Sequence, residues 1–162
     1  MVLGTQVEWA IHCCAVLASV PPDAYVSTRT LARFHGVPKE YLSKALQALS
    51  RAGLVEGVLG PSGGYRLARP ATDITVLDIV EAVEGKGPSF VCTEIRRNNP
   101  CRPEGFCEAG PCAVARVMHE ADAAWRARLR RERLSGLVRR VAADVPADLL
   151  AASRDWLEND RG

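Results

Sequence analysis

Cys92, Cys101, Cys107 and Cys112 crowd one polar stretch of the chain, separated by eight, five and four residues. Thiols at this density form disulfides in oxidising compartments and bind metals or undergo redox chemistry in reducing ones. Structural zinc sites favour closely spaced pairs, because two thiolates on a tight turn already present half a tetrahedron. Only Cys107 and Cys112 come near that spacing. Looser spacing suits an iron–sulfur cluster, whose larger core lets ligands arrive from different parts of a loop. Spacing alone leaves zinc and iron–sulfur level. The other two cysteines, Cys13 and Cys14, lie in an apolar run from Val7 to Val20. That run has no basic flank and contains Glu8 and His12, so it reads as a first helix of a cytoplasmic protein and not as a signal segment. Nothing approaches the roughly 20 apolar residues a membrane span needs, and no membrane partner is expected.

With 162 residues, 48% hydrophobic and 25% charged, the chain has the means for one compact domain and a modest extension. The net charge of +2 says little about partners. Its distribution says more: from Ser27 to Arg69 there are seven basic residues against two acidic ones. A phosphate-facing surface shows that kind of excess. No phosphate-binding glycine motif and no nucleophile–base pair is evident, so no enzymatic activity is expected.

The elements that must position these groups follow from periodicity. Val7, Ala10, Ile11, Cys14, Leu17 and Ala18 recur at helical spacing and stop at Pro21-Pro22, which makes Cys14 a core residue. Ser27 caps a short helix ending at Gly36. Pro38 is expected at the first position of the next helix, whose Leu42, Ala45, Leu46 and Leu49 form one apolar stripe closing at Gly53. Helix, tight glycine turn, helix is the signature of a helix-turn-helix. Leu54 to Leu59 and Gly64 to Ala68 flank Gly60-Pro61-Ser62-Gly63 as a hairpin, a candidate wing. Thr75 caps a helix reaching Val83. The Gly85 to Gly110 loop exceeds the usual length of a structureless connection. From Pro111 to Leu134 the spacing predicts one long helix, with Val114, Val117, Met118, Ala121, Ala124, Trp125 and Leu129 on an apolar stripe that has no obvious partner within the chain. A second copy would bury it, so a homodimer is expected. A terminal helix from Ala147 to Glu158 is expected to be anchored by Leu149, Leu150 and Trp156.

A helix-turn-helix sets the start of its second helix in the major groove of double-stranded DNA. The candidates there are Lys39, Glu40, Tyr41, Ser43, Lys44 and Gln47, with Thr28 on the preceding helix and Ser62, Gly63 and Arg66 on the wing. Glu40 can accept from cytosine and Gln47 can pair with adenine, while the basic groups serve phosphates or guanine.

Three stretches, VPKEYLSKALQALSRAGLV, GPSGGYRLARP and ITVLDIVEAVEG, followed by the cysteine loop and a long helix, resemble the Rrf-type winged-helix regulators that carry iron–sulfur clusters, the IscR-, NsrR- and RsrR-like proteins. VEWAIHCC, FVCTEIR and PCAVAR resemble the redox-sensing RsrR branch most. The fold so implied is mainly α with a small β-hairpin wing: residues 1–85 form the winged helix-turn-helix, 86–112 the cluster loop, and 113–162 the dimerisation helix and C-terminal helices. The function implied is a redox- or stress-responsive DNA-binding repressor. Its cofactor would be a 2Fe–2S cluster between subunits, held by Cys92 and Cys112 of one chain and Glu8 and His12 of the other. Glu8 and His12, four residues apart, share one helical face, and Cys112 starts a helix, where the dipole favours thiolate. The wider family pattern makes Cys101 and Cys107 the runner-up ligands. The competing reading is a cluster-free or zinc-bound winged-helix repressor that responds to thiol oxidation.

Overall fold

The computed structural model describes residues 3–60 and 63–160. Helix α1 (Thr5–Ser19) buries Val7, Ala10, Cys13, Cys14, Val16 and Leu17. It packs against α3, α4 and α6. Burial pushes the Cys13 thiol up to about 12 and the Cys14 thiol higher still, which leaves both protonated and inert. Helix α2 (Thr28–His35) starts at Ser27, whose hydroxyl accepts from the Thr30 amide at 3.0 Å. It stops at Gly36, whose φ of 64° lies in the left-handed region that glycine adopts without strain.

Helix α3 (Lys39–Arg51) buries the expected Leu42, Ala45, Leu46 and Leu49. Each such leucine is worth roughly 1.5–3 kcal/mol relative to an exposed one. Pro38 stands one residue outside the helix, not at its first position. Its ψ of 127° is extended, although its carbonyl already accepts from Leu42 at 3.1 Å. Strands β1 (Val55–Val58) and β2 (Gly64–Leu67) pair antiparallel, with Val55 opposite Leu67 and Val58 opposite Gly64. Val26 exchanges two backbone bonds of 2.9 Å with Tyr65 on the hairpin's other edge. Glycine is required at 64, since a Cβ there would lie 2.4 Å from the Val26 oxygen. The architecture is mainly helical with a two-stranded wing, as the sequence implies.

Helix α4 (Val76–Glu84) opens with a reciprocal cap. Asp78 donates its amide to the Thr75 hydroxyl at 3.0 Å, and the Asp78 carboxylate accepts the Thr75 amide at 2.8 Å. Beyond a 3₁₀ turn at Ile95–Asn98 comes the long helix α5 (Ala113–Arg131). It ends short of Leu134. Glu132 and Arg133 are extended and pair with the cap of α4, Val76 donating to the Glu132 carbonyl and Leu134 to that of Ile74, both at 2.9 Å. A separate helix, α6 (Leu134–Asp144), then runs along α1.

The expected unpartnered stripe of α5 divides in two. Trp125 and Leu129 pack within the chain against Val7, Val76 and Val80. Val114, Val117 and Met118 stay 67%, 62% and 41% exposed. Helix α7 (Ala147–Asn159) also differs from expectation: Leu149 is 56% exposed, and Leu157, at 2%, is the buried anchor together with Trp156 against Phe34. No helix among the described residues is long and apolar enough to cross a membrane.

Replacing Thr75 with Ala removes the hydroxyl half of the α4 cap and should lower unfolding stability by about 1 kcal/mol, measured by urea denaturation. Unchanged stability would show that the cap does not hold the junction of α4 and α5.

Candidate functional site

Two surfaces gather the chemically active residues. The first is built by α2, α3 and the wing. Lys39, Glu40, Tyr41, Lys44 and Gln47 are exposed along α3, which its buried leucine stripe orients. Ser43 donates its hydroxyl to the Lys39 carbonyl at 2.8 Å, and the Lys44 ammonium stands 5.6 Å from the Tyr41 ring centre. Between these helices and the hairpin lies a cleft of about 470 Å³, lined by Thr28, Arg29, Lys39 and Gly63 among others. Arg29 was not singled out from sequence. The signal was its place beside Thr28 in the first turn of α2.

Arg66 is not brought into this cleft. Neighbouring strand residues point to opposite faces, and Tyr65 takes the cleft side. Arg66 instead donates to Glu56 at 2.5 Å, stacks 4.9 Å from the Tyr25 ring and lines a separate hollow with Leu17 and Pro70. Its charge is therefore partly neutralised by Glu56. Ser62 lies outside the described residues.

The second surface is the cysteine loop. Cys92 and Cys112 come together, the Cys92 thiol within hydrogen-bond reach of Cys112. Cys112 caps α5, its sulfur accepting from the Ala115 amide at 3.3 Å. That bond is the main reason its thiol sits below the ordinary range, with the Arg96 charge, the Val114 amide and Cys92 adding to it. A clamp holds the two ends of the loop in this position. Glu94 takes a left-handed φ of 53°, its amide donates to the Cys92 sulfur at 3.4 Å, and its carboxylate accepts from Arg96 at 2.7 Å. The same Arg96 nitrogen donates to the Gly110 carbonyl at 3.0 Å. The Arg96 guanidinium holds the Glu94 carboxyl below its usual range.

A second clamp secures the loop's start. Arg126 donates to Glu81 at 2.7 Å, to Asp122 at 2.9 Å and to the Gly87 carbonyl, while Asp122 accepts from the Ser89 amide at 3.1 Å and the Trp125 indole at 2.9 Å. Loop, α4 and α5 thus meet on one arginine. Bonds from Ser89 first, then Trp125 and Arg126, hold the Asp122 carboxyl well below the usual carboxylate range.

Cys101 and Cys107 are exposed on a separate lobe, closed by Arg102 through the Phe106 carbonyl at 2.5 Å and Glu108 at 2.8 Å. Glu8 and His12 both face solvent on α1, where with Leu3, Val7 and Ile11 they border a hollow of about 370 Å³. The His12 ring stands 5.8 Å from that of His35. No three or more metal-ligating side chains converge among the described residues of a single chain. The proposed ligands therefore fall into two pairs, a thiol pair and a carboxylate–imidazole pair.

Comparison with known proteins gives these surfaces a context. The model of the Rrf2 family, described as an iron-dependent transcriptional regulator, matches residues 3–140. The protein rrf2 of Nitratidesulfovibrio vulgaris is 31% identical over 139 residues, 86% of this chain and 88% of that one. Among solved structures, IscR of T. potens superposes with a TM-score of 0.67 at 22% identity, covering 90% of this chain and 93% of the other. CymR, the global cysteine regulator of B. subtilis, gives 0.65 at 22% identity, covering 85% and 96%. At these identities the two structures speak for the fold alone.

The Asp122 clamp has a pH signature. Because its folded pKa is lowered, its stabilising contribution is complete above the ordinary aspartate value of about 3.9 and is lost as the pH falls below that. Asp122→Asn should flatten the acid limb of thermal stability in metal-free protein between pH 4 and 2. An acid limb as steep as the parent's would place the acid-sensitive group elsewhere.

Proposed function

The chain belongs to the Rrf2 family of winged-helix transcriptional regulators, and from that premise we propose that it is a cytoplasmic homodimeric repressor that senses redox state through a 2Fe–2S cluster. The proposed ligands are Cys92 and Cys112 of one protomer with Glu8 and His12 of the partner subunit. Residues 1–85 would read DNA, 86–112 hold the cluster, and 113–162 carry the dimer contact and the closing helices.

The observation that carries this reading is the meeting of Cys92 and Cys112 at the start of α5, with a lowered thiol pKa at Cys112, while Cys101 and Cys107 lie on another lobe. Two thiolates supply half the ligands of a 2Fe–2S group. Glu8 and His12 supply the other half from a helical face that their own chain leaves open. When bound, the group supplies one-electron redox chemistry. The exposed Val114, Val117 and Met118 of α5 are a suitable face for the second copy. On the DNA side, Lys39 and Lys44 answer phosphates and Gln47 reaches base edges, with Arg29 added at the cleft.

The exposed thiols Cys101 and Cys107 favour a second reading, a cluster-free or zinc-bound repressor that responds to thiol oxidation. The fold shared with CymR, the cysteine regulator of B. subtilis, is compatible with that reading. Colour separates the two, since zinc and disulfides are colourless.

Anaerobically purified protein should be coloured and carry two irons and two sulfides per chain. Glu8→Ala, His12→Ala, Cys92→Ala and Cys112→Ala should each lose that content, whereas Cys101→Ala and Cys107→Ala should keep it. Loss only in the last two would transfer the site to the three-cysteine pattern. For DNA, Lys39→Ala and Lys44→Ala should each lower the slope of log affinity against log salt by about one. Arg66→Ala, given its pairing with Glu56, should lower it less. Parent-like slopes in both lysine variants would displace α3 as the reading helix. Sedimentation at micromolar concentration should give a dimer, and Val117→Asp should shift it to monomer.

A further inference from the structure

Helix α7 is fastened to the first helix of the DNA-reading pair. The Thr30 hydroxyl donates to the Asp160 carbonyl at 2.9 Å, Arg33 pairs with the Asp160 carboxylate, and Trp156 packs 5.7 Å from Phe34. Between that fastening and α6 the helices do not close. A cavity of about 330 Å³ opens there, bounded by α1, the end of α2, α6 and α7. Its walls are mainly apolar, with Val16, Val141 and Leu150 among them.

Few polar groups reach it. His35 lines it, but its Nε2, which has no hydrogen-bond partner, is out of contact with solvent and so does not face the opening. Arg154, exposed at the rim, makes no ion pair among the described residues. The hydroxyls of Ser19 and Ser153 are already turned to carbonyls of their own helices, each at 2.8 Å.

We propose that this cavity is a binding site for a small amphipathic carboxylate, with the hydrocarbon part along Val16, Val141 and Leu150 and the head toward Arg154. The class follows from what the walls lack. Apolar surface in contact with water calls for hydrocarbon. The Arg154 guanidinium, which makes no ion pair among the described residues, calls for an anionic acceptor at the mouth of the cavity, and a carboxylate answers it, whereas a hydroxyl answers the cation poorly. The volume lies at the small end of the roughly 300–1,000 Å³ of small-molecule sites, which suits a medium-chain acid and excludes a peptide. The site touches α1 through His12 and α2 through Phe34 and His35. The inference rests on the cavity alone and not on any metal.

The test is calorimetric titration of the full-length protein with octanoate, with octan-1-ol as the uncharged counterpart. Saturable binding at one site per chain is expected, about tenfold weaker for octan-1-ol and for Arg154→Ala. Ala142→Trp, whose ring occupies the space, should abolish it, and Arg154→Ala, on the exposed rim, carries the test should that variant fail to fold. Failure of the parent to bind octanoate overturns the proposal, as it would if a second copy's surface filled the cavity. Binding indifferent to Arg154→Ala, or equal for acid and alcohol, overturns the carboxylate assignment.

Discussion

Six side chains of α1, from Val7 to Leu17, are buried where α3, α4 and α6 pack, and that burial fixes the rotation of the helix about its axis. Successive helical residues are turned by about 100°, so the buried stripe leaves Glu8 and His12 on one exposed strip. A shift of register would bury a carboxylate and expose leucine and valine, at a cost of several apolar side chains of about 1.5–3 kcal/mol each. The same helix supports α3, which presents Lys39, Lys44 and Gln47 outward. One packing arrangement thus orients both α3 and the carboxylate–imidazole pair, and a displacement of α1 would be felt at both.

The thiol pair depends on a different kind of force. The loop from Gly85 to Gly110 has only one turn of regular structure, so its backbone cannot position Cys92 by itself. Charged hydrogen bonds do it instead: Arg126 and Asp122 fasten the beginning, and Arg96 with Glu94 draws the Cys92 segment to Gly110, next to the cap of α5. Such bonds are roughly twice as strong as neutral ones and are geometrically selective. The strained left-handed Glu94 is a cost consistent with a tightly specified site.

Much of this was legible in the sequence because its causes are local. Ser27, Gly36 and Thr75 act on neighbouring backbone, the leucine stripe of α3 is read directly from spacing, and the glycines flanking the wing announce the hairpin. What escaped is set by distant partners. The end of α5 at Arg131 comes from pairing of Glu132 and Arg133 with Thr75 and its neighbours, more than fifty residues away, and no proline or glycine marks it. Leu157 anchors α7 in place of Leu149, although both border the same cavity, and nothing in the spacing of the helix separates them. Arg66 faces away from the cleft because Tyr65 faces it, an alternation present in the sequence but outweighed by the residue's charge. The pairing of Cys92 with Cys112 came only from family resemblance, since spacing does not distinguish four loop cysteines.

Complementation between damaged subunits tests the central claim most directly. A chain carrying Glu8→Ala and His12→Ala is co-produced with a differently tagged chain carrying Cys92→Ala and Cys112→Ala, and the mixed dimer is isolated. A shared site predicts no iron in either parental homodimer and one intact two-iron group in the mixed dimer, because one of its two sites then contains all four ligands. A mixed dimer without iron, or iron retained by the homodimer lacking Glu8 and His12, would contradict ligation across the subunit boundary.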